Sequence, residues 1–221
     1  MTLRKLTGVG LLVAIAVAGA QAQQPPQGKP DHMEHKFDPA TSAKAFDDPA
    51  RDAWQMPGRV IEALGLAPTA AVADIGAGTG YFSVRLAKAV PSGTVYAVDV
   101  EASMLDHIRK RATGEHLTNV TTVLAAPDSP KLPKPVNVIL IVDTYHHIPS
   151  RVAYFRGLKS SLLPGGRVAI VDFKKESPDG PPPEFRFTPE QIAGEMKQAG
   201  FVVDGRHDFL PRQLFLVFKP E

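Results

Sequence analysis

The sequence predicts an α/β protein: a mostly parallel sheet covered by helices on both faces. Three observations predict it. From residue 70 onward, short apolar runs alternate with amphipathic segments of helical spacing. The runs are nearly continuous in apolar residues, as in VILIV at 138–142, which is how strands buried on both faces read. The last two runs follow one another with only Leu210-Pro211-Arg212 between them. A hairpin there brings one antiparallel strand into the sheet.

The elements follow in chain order. Residues 1–22 contain Arg4 and Lys5, an apolar run over 9–20, and Ala20-Gln21-Ala22. That is the three-part pattern of a secretory signal cleaved after Ala22. The run is too short to span a membrane. Residues 23–36 begin QQPPQGKPDH and read as a disordered leader. Residues 37–69 read as a helical lid, interrupted at Pro49 and Pro57, with a helix over 57–64. Strands are expected at 72–75, 94–98, 120–124, 136–142, 167–173, 201–209 and 213–218. Helices are expected at 81–90, 102–113, 151–163 and 188–200, the last with Thr188 as N-cap and Gly200 as C-cap.

Charge and composition narrow the function. The chain has 221 residues, with 25 Lys+Arg, 23 Asp+Glu and no cysteine. Both surplus cations lie in the signal, so the mature chain is neutral. Neutrality argues against a nucleic-acid partner, which calls for basic clusters. The absence of cysteine excludes disulfides, thiolate metal sites and a Cys nucleophile. After signal cleavage no membrane span is expected, and the chain is expected to be exported, to the periplasm or beyond.

Ligands of such sheets bind beyond the carboxyl ends of the strands. The first such end reads Asp74-Ile75-Gly76-Ala77-Gly78-Thr79-Gly80. Glycines between strand and helix let a ligand approach the backbone. The spacing is GxGxG rather than the GxGxxG of dinucleotide sites. The second strand ends at Asp99, whose carboxylate can accept both hydrogen bonds of a ribose diol. Its more ordinary role is to cap the next helix.

These motifs, VADIGAGTGYFSVRLA, VYAVDVEASML, VILIVDTYHHI and LLPGGRVAIVDF, followed by a helix ending AGF and a terminal hairpin, resemble the class I S-adenosylmethionine-dependent methyltransferases. The resemblance covers residues 57–219. It implies a Rossmann-like three-layer sandwich with a seven-stranded sheet in the order 3-2-1-4-5-7-6, strand 7 antiparallel, and a methyltransferase domain over 70–221. It implies S-adenosyl-L-methionine as methyl donor and a small-molecule acceptor. Carried over by position, Asp74, Gly76, Ala77, Gly78 and Gly80 wrap the methionine and ribose portions. Asp99 holds the ribose hydroxyls, Val100 and Met104 flank the adenine, and Ala126 offers backbone contacts. The usual acidic residue at the third strand end is missing, and Asp128 is a substitute of uncertain register. Asp143 faces the donor and acceptor.

For a catalytic base, His146 is the first candidate, with Tyr145 and Asp172 as alternatives. The more ordinary role for His147 is packing beneath the site. No metal is expected: adjacent histidines diverge without a third ligand, and the His32–His35 pair of DHMEH lies in the leader. Phe37, Phe46, Trp54, Phe185 and Phe187 are expected to pack the lid on the sheet; on another reading they line an apolar acceptor pocket. A nicotinamide-dependent oxidoreductase and an exported binding protein that keeps the fold are the rival readings. The lack of cysteine excludes the thiolate-assisted arsenite chemistry of related families.

Overall fold

The computed structural model describes His32 and residues 36–221. The signal 1–22, and the leader 23–36 apart from His32 and Lys36, lie outside the described residues. The lid contains three short helices, α1 (Pro39–Phe46), α2 (Arg51–Gln55) and α3 (Pro57–Leu64). Asp38 caps α1 by accepting from the Ala40 N–H at 2.7 Å, and Pro39 and Pro57 occupy first-turn positions where no amide hydrogen is needed. The chain turns between α2 and α3 at Met56, which is left-handed.

Alternation then proceeds as β1 (Ala71–Ile75), α4 (Ser83–Ala89), β2 (Thr94–Asp99), α5 (Ala102–Gly114), β3 (Val120–Leu124) and β4 (Val136–Val142). A 3-10 turn (Tyr145–His147), α6 (Arg151–Leu158), β5 (Leu162–Phe173), α7 (Pro189–Gln198), β6 (Phe201–His207) and β7 (Gln213–Pro220) complete it. The seven strands lie in the order β3-β2-β1-β4-β5-β7-β6. The first five are parallel and β7 runs antiparallel to both its neighbours. The strand order reverses between β1 and β4, so a crevice opens beyond their carboxyl ends.

Period-2 alternation divides the core. Ile139 and Ile141 of β4 join Phe155 and Met196 of α6 and α7 on one face. Val138, Leu140 and Val142 join Val60, Leu64 and Leu86 of α3 and α4 on the other. Burying each such side chain stabilises by about 1.5–3 kcal/mol. α7 begins with a capping box, Thr188 accepting from Gln191 and the Gln191 side chain accepting from Thr188.

Several boundaries differ from expectation: α4 begins at Ser83 rather than 81, and β6 ends at His207 rather than 209. β5 starts at Leu162, because Leu162 pairs with Val136 and the Pro164-Gly165-Gly166 turn becomes an irregularity within the ladder. The preceding helix accordingly ends at Leu158 and tightens into a 3-10 turn, Lys159–Ser161. Ala199 is the C-cap of α7, and Gly200 follows it with φ +83°. Among the described residues, no helix is long and apolar enough to cross a membrane.

Candidate active site

A cleft of about 1180 Å³ opens at the carboxyl ends of β1, β2, β4 and β5, roofed by the lid. Its first end is built by the glycine loop. Asp74 is buried and accepts from the Ser83 hydroxyl at 2.6 Å, which ties the strand end to the start of α4. Burial pushes its carboxyl up to about 6, against the Ser83 hydrogen bond. Gly76 has φ +74°, and a Cβ there would lie 2.2 Å from the Thr144 hydroxyl oxygen, so the ends of β1 and β4 approach too closely for a side chain.

Asp99 lies across from this loop. One carboxylate oxygen accepts from the Gly78 N–H at 2.8 Å and the other from the Glu101 N–H at 2.9 Å. Burial pushes its pKa up while these two amides hold it down. Each oxygen has a second lone pair, and the residue lines the cleft. Val100, Met104, Ala126, Gly76, Ala77 and Gly78 line the same end. Gly80 does not; its amide closes the loop on the Ala77 carbonyl at 2.9 Å, and it packs towards Ile108. Asp128 lies outside the lining, on the small turn closed by the Ala126–Ser129 bridge.

The centre of the cleft holds Asp143, in a left-handed conformation with φ +52° just after β4. Gln55 Nε2 donates to it at 2.9 Å, Gln213 Nε2 donates to its other oxygen, and Arg51 lies at 3.4 Å. Gln55 and Gln213 are wholly buried and bonded to each other at 3.1 Å. Burial pushes Asp143 up to about 6, with Arg51 opposing. These three partners come from α2 and β7, far away in sequence. The only local signal is Gln213, a polar opening to the apolar run QLFLVF.

The 3-10 turn after β4 sends its side chains in different directions. His146 Nδ1 lies 3.0 Å from both oxygens of Asp172, which also accepts from the Phe173 N–H at 2.7 Å. Against an acceptor carboxylate, Nδ1 is the protonated nitrogen and Nε2 is left to exchange protons with the cleft the ring lines. Burial pulls the imidazole pKa down, but the charge and hydrogen bond of Asp172, with Asp143 behind, outweigh it, and the net shift is upward. Asp172 is thus joined to His146 as its orienting partner.

Tyr145 is a correction. Its hydroxyl donates to Glu195 of α7 and its ring stacks on Phe155, outside the cleft lining. Burial and then the Glu195 hydrogen bond raise its pKa, the wrong direction for a base. His147 lines the cleft, 4.2 Å from the His146 ring and edge-on to Phe37 at 5.5 Å.

Aromatic rings line the cleft in two pairs: Phe37 against Phe46 at 5.3 Å, with Phe46 over Gly78, and Trp54 against Phe173 at 5.8 Å, at the end of β5. Phe185 and Phe187 do not line it; Phe187 packs edge-on to Tyr145. The lid is tied down by polar contacts. Asp47 accepts from the Thr79 hydroxyl at 3.0 Å and from Arg111 at 2.7 Å, Asp52 accepts from the Tyr81 hydroxyl, and Arg51 stacks on the Tyr81 ring. Among the described residues no group of three or more His, Asp or Glu could hold a metal ion.

Comparison with known proteins gives this geometry a context. Residues 72–166, from β1 into β5, match the family model described as a methyltransferase domain. The chain is 34% identical over 120 residues to the ubiquinone/menaquinone biosynthesis C-methyltransferase UbiE of Ectopseudomonas mendocina, covering 52% of this chain and 46% of that protein. It is 29% identical over 141 residues to the arsenite methyltransferase of Halobacterium salinarum, covering 63% and 36%. The chain thus spans less than half the length of these curated relatives. The crystal structure of a SAM dependent methyltransferase from Aquifex aeolicus superimposes with a TM-score of 0.76 at 29% identity, covering 83% of this chain and 98% of that one.

Proposed function

We propose that this chain, whose residues 72–166 carry a methyltransferase domain, transfers a methyl group from S-adenosyl-L-methionine to a small-molecule acceptor. The observation that supports it best is Asp99. Its carboxylate is aligned by the Gly78 and Glu101 amides and keeps a lone pair on each oxygen for a ribose diol. The glycine loop opposite has a close approach at Gly76 that fits the amino-acid portion of such a donor. Val100 and Met104 offer apolar surface to the base, with Ala126 beside them. Asp74, Ala77 and Gly80 shape and hold the loop, and Asp143 lies beside the methionine end.

The donor supplies a methyl group already activated on a sulfonium. The chain must align the acceptor with it and exclude water, and alignment alone can lower a barrier by roughly 7–11 kcal/mol. The lid, tied through Asp47 and Asp52, performs the exclusion. His146, oriented by Asp172, is the group placed to accept a proton from the acceptor. The chain has no cysteine, so the metalloid chemistry named for the Halobacterium relative is not carried over. The rival is an exported binding protein without activity, favoured by the signal pattern. We also take residues 1–22 as that cleaved signal; N-terminal sequencing of the secreted or periplasmic protein should then begin at Gln23.

Titration calorimetry tests the donor site. S-Adenosylmethionine and S-adenosylhomocysteine should each bind at one site per chain. Failure of both to bind overturns the reading. Binding without release of labelled methyl to any acceptor in a cell-envelope extract favours the rival.

A further inference from the structure

We propose that the acceptor is a lipophilic phenol, methylated on its oxygen at the His146–Asp172 pair. The inference rests on the donor reading above and deepens it. It starts from space: a cleft of about 1180 Å³ exceeds the roughly 300–1,000 Å³ of a site for one drug-sized ligand, so a second molecule fits beside the donor. The part of the cleft beside the end of β5 is walled by Trp54 and Phe173, and Pro181 and Pro182 also line the cleft. That surface suits a flat, apolar body.

Charge narrows the class further. The carboxylates near this end are already engaged, Asp172 by His146 and the Phe173 amide, Asp143 by Gln55, Gln213 and Arg51. Lys36 and Arg51 are the lysine and arginine lining the cleft among the described residues. A neutral acceptor such as a phenol needs no further counter-charge from these paired groups.

Proton affinity decides between hydroxyl types. An ordinary imidazole is a base with a pKa near 6.5, and its carboxylate partner Asp172 shifts that of His146 upward from there. A phenol with pKa near 10 gives up its proton to it at a disadvantage of roughly three to four powers of ten. A water-like alkanol, far less acidic than a phenol, faces a gap wider by several powers of ten. The first gap is closed by general-base catalysis during the displacement; the second is not. His146 lines the cleft and is held by Asp172, so the proton it takes comes from a group seated in the cleft.

The step balances without a redox partner. The phenolic O–H proton passes to His146 Nε2. An oxygen lone pair forms the new O–CH3 bond as the C–S bond breaks, and its electrons leave on sulfur as a neutral thioether. The proton is then released to water.

The test uses the full chain, labelled S-adenosylmethionine, and a panel of naphthols and alkylphenols of graded acidity beside matched naphthylmethanols, naphthylamines and naphthalenethiols. Products are identified by mass spectrometry and NMR. The expected result is aryl methyl ether formed at least ten times faster than any other product. His146→Gln should slow the least acidic phenols by about 10²–10⁴. That penalty should shrink steadily as phenol acidity rises, a trend that mere loss of structure would not give. S-Adenosylhomocysteine affinity should be unchanged in the variant. The proposal is overturned if donor binds but no phenol turns over, if the methyl is found on ring carbon, or if the His146→Gln penalty is the same for every phenol. If the donor itself does not bind, the reading of the previous subsection falls with it.

Discussion

Three carboxylates at the strand ends, Asp74, Asp99 and Asp143, are buried with their pKa values pushed up, and each is held by hydrogen-bond donors aimed at it. Such groups weaken the fold as they ionise. Asp74 lies at about 6 in the folded chain against 3.8 when free, so its contribution to stability is complete below pH 4 and is lost as pH rises through 6. The loss by pH 7 is up to about 3 kcal/mol. Asp74→Asn should therefore raise the urea midpoint at pH 7, with the gain vanishing near pH 4. Asp99→Ala removes a charge-assisted partner worth about 1.5–3 kcal/mol. Calorimetry should show donor affinity falling roughly 10- to 150-fold with the fold retained, and an unchanged affinity would refute the ribose contact. His146 behaves oppositely in rate and stability. Its raised pKa adds stability below pH 6.5, lost as pH climbs through the folded value, whereas a general base works only once neutral. Methyl transfer to a weakly acidic phenol should thus rise with pH through a value above 6.5. At this scale the sequence was partly legible. Asp172 and His146 stand at successive strand ends and could be named, but their direct pairing could not. The direction of Tyr145 could not be read either, because a 3-10 turn assigns it to the α7 side.

Among elements, the lid and α7 offer separable tests. The Asp47–Arg111 ion pair is about a quarter exposed at each side chain, so solvent screens it to a stability contribution of about 0–1 kcal/mol. Asp47→Ala should barely move the melting temperature, yet it frees α1 from Thr79. Stopped-flow measurement should find donor dissociating several-fold faster. An unchanged off-rate would show that α1 does not retain the ligand. Thr188→Ala breaks the capping box of α7 and should cost about 1 kcal/mol. Thermal melts should register that as a shift of about 2–4 °C. Helix boundaries marked by caps and prolines, such as α3 at Pro57 and α7 at Thr188, were readable from the sequence. The early start of β5 was not, since it depends on Leu162 meeting Val136 across the sheet.

For the whole molecule, the two-faced core follows from nearly continuous apolar runs whose every second residue faces a different helical layer, while the strand order was legible only through the family resemblance. The regularity of the runs made the fold class legible. It also concentrates stability: Ile139→Ala at the centre of β4 should cost about 2–5 kcal/mol, seen as a lower urea midpoint with an unchanged slope. What stayed hidden are contacts that only closure creates. Gln55 and Gln213 are 158 positions apart in the chain, and no local pattern marks them as the hands that hold Asp143. One feature of the assembled chain bears on timing. Phe46 comes within 3.4 Å of the position a Cβ would take at Gly78, and it packs on Phe37, which touches His147. The same aromatic roof therefore covers both ends of the cleft. Under the proposed reaction, an acceptor seated beneath it blocks the way to the glycine loop. Turnover is then a queue: donor enters first, acceptor second, methylated product leaves before the spent thioether. Product-inhibition kinetics should show S-adenosylhomocysteine competing with the donor and not with the acceptor.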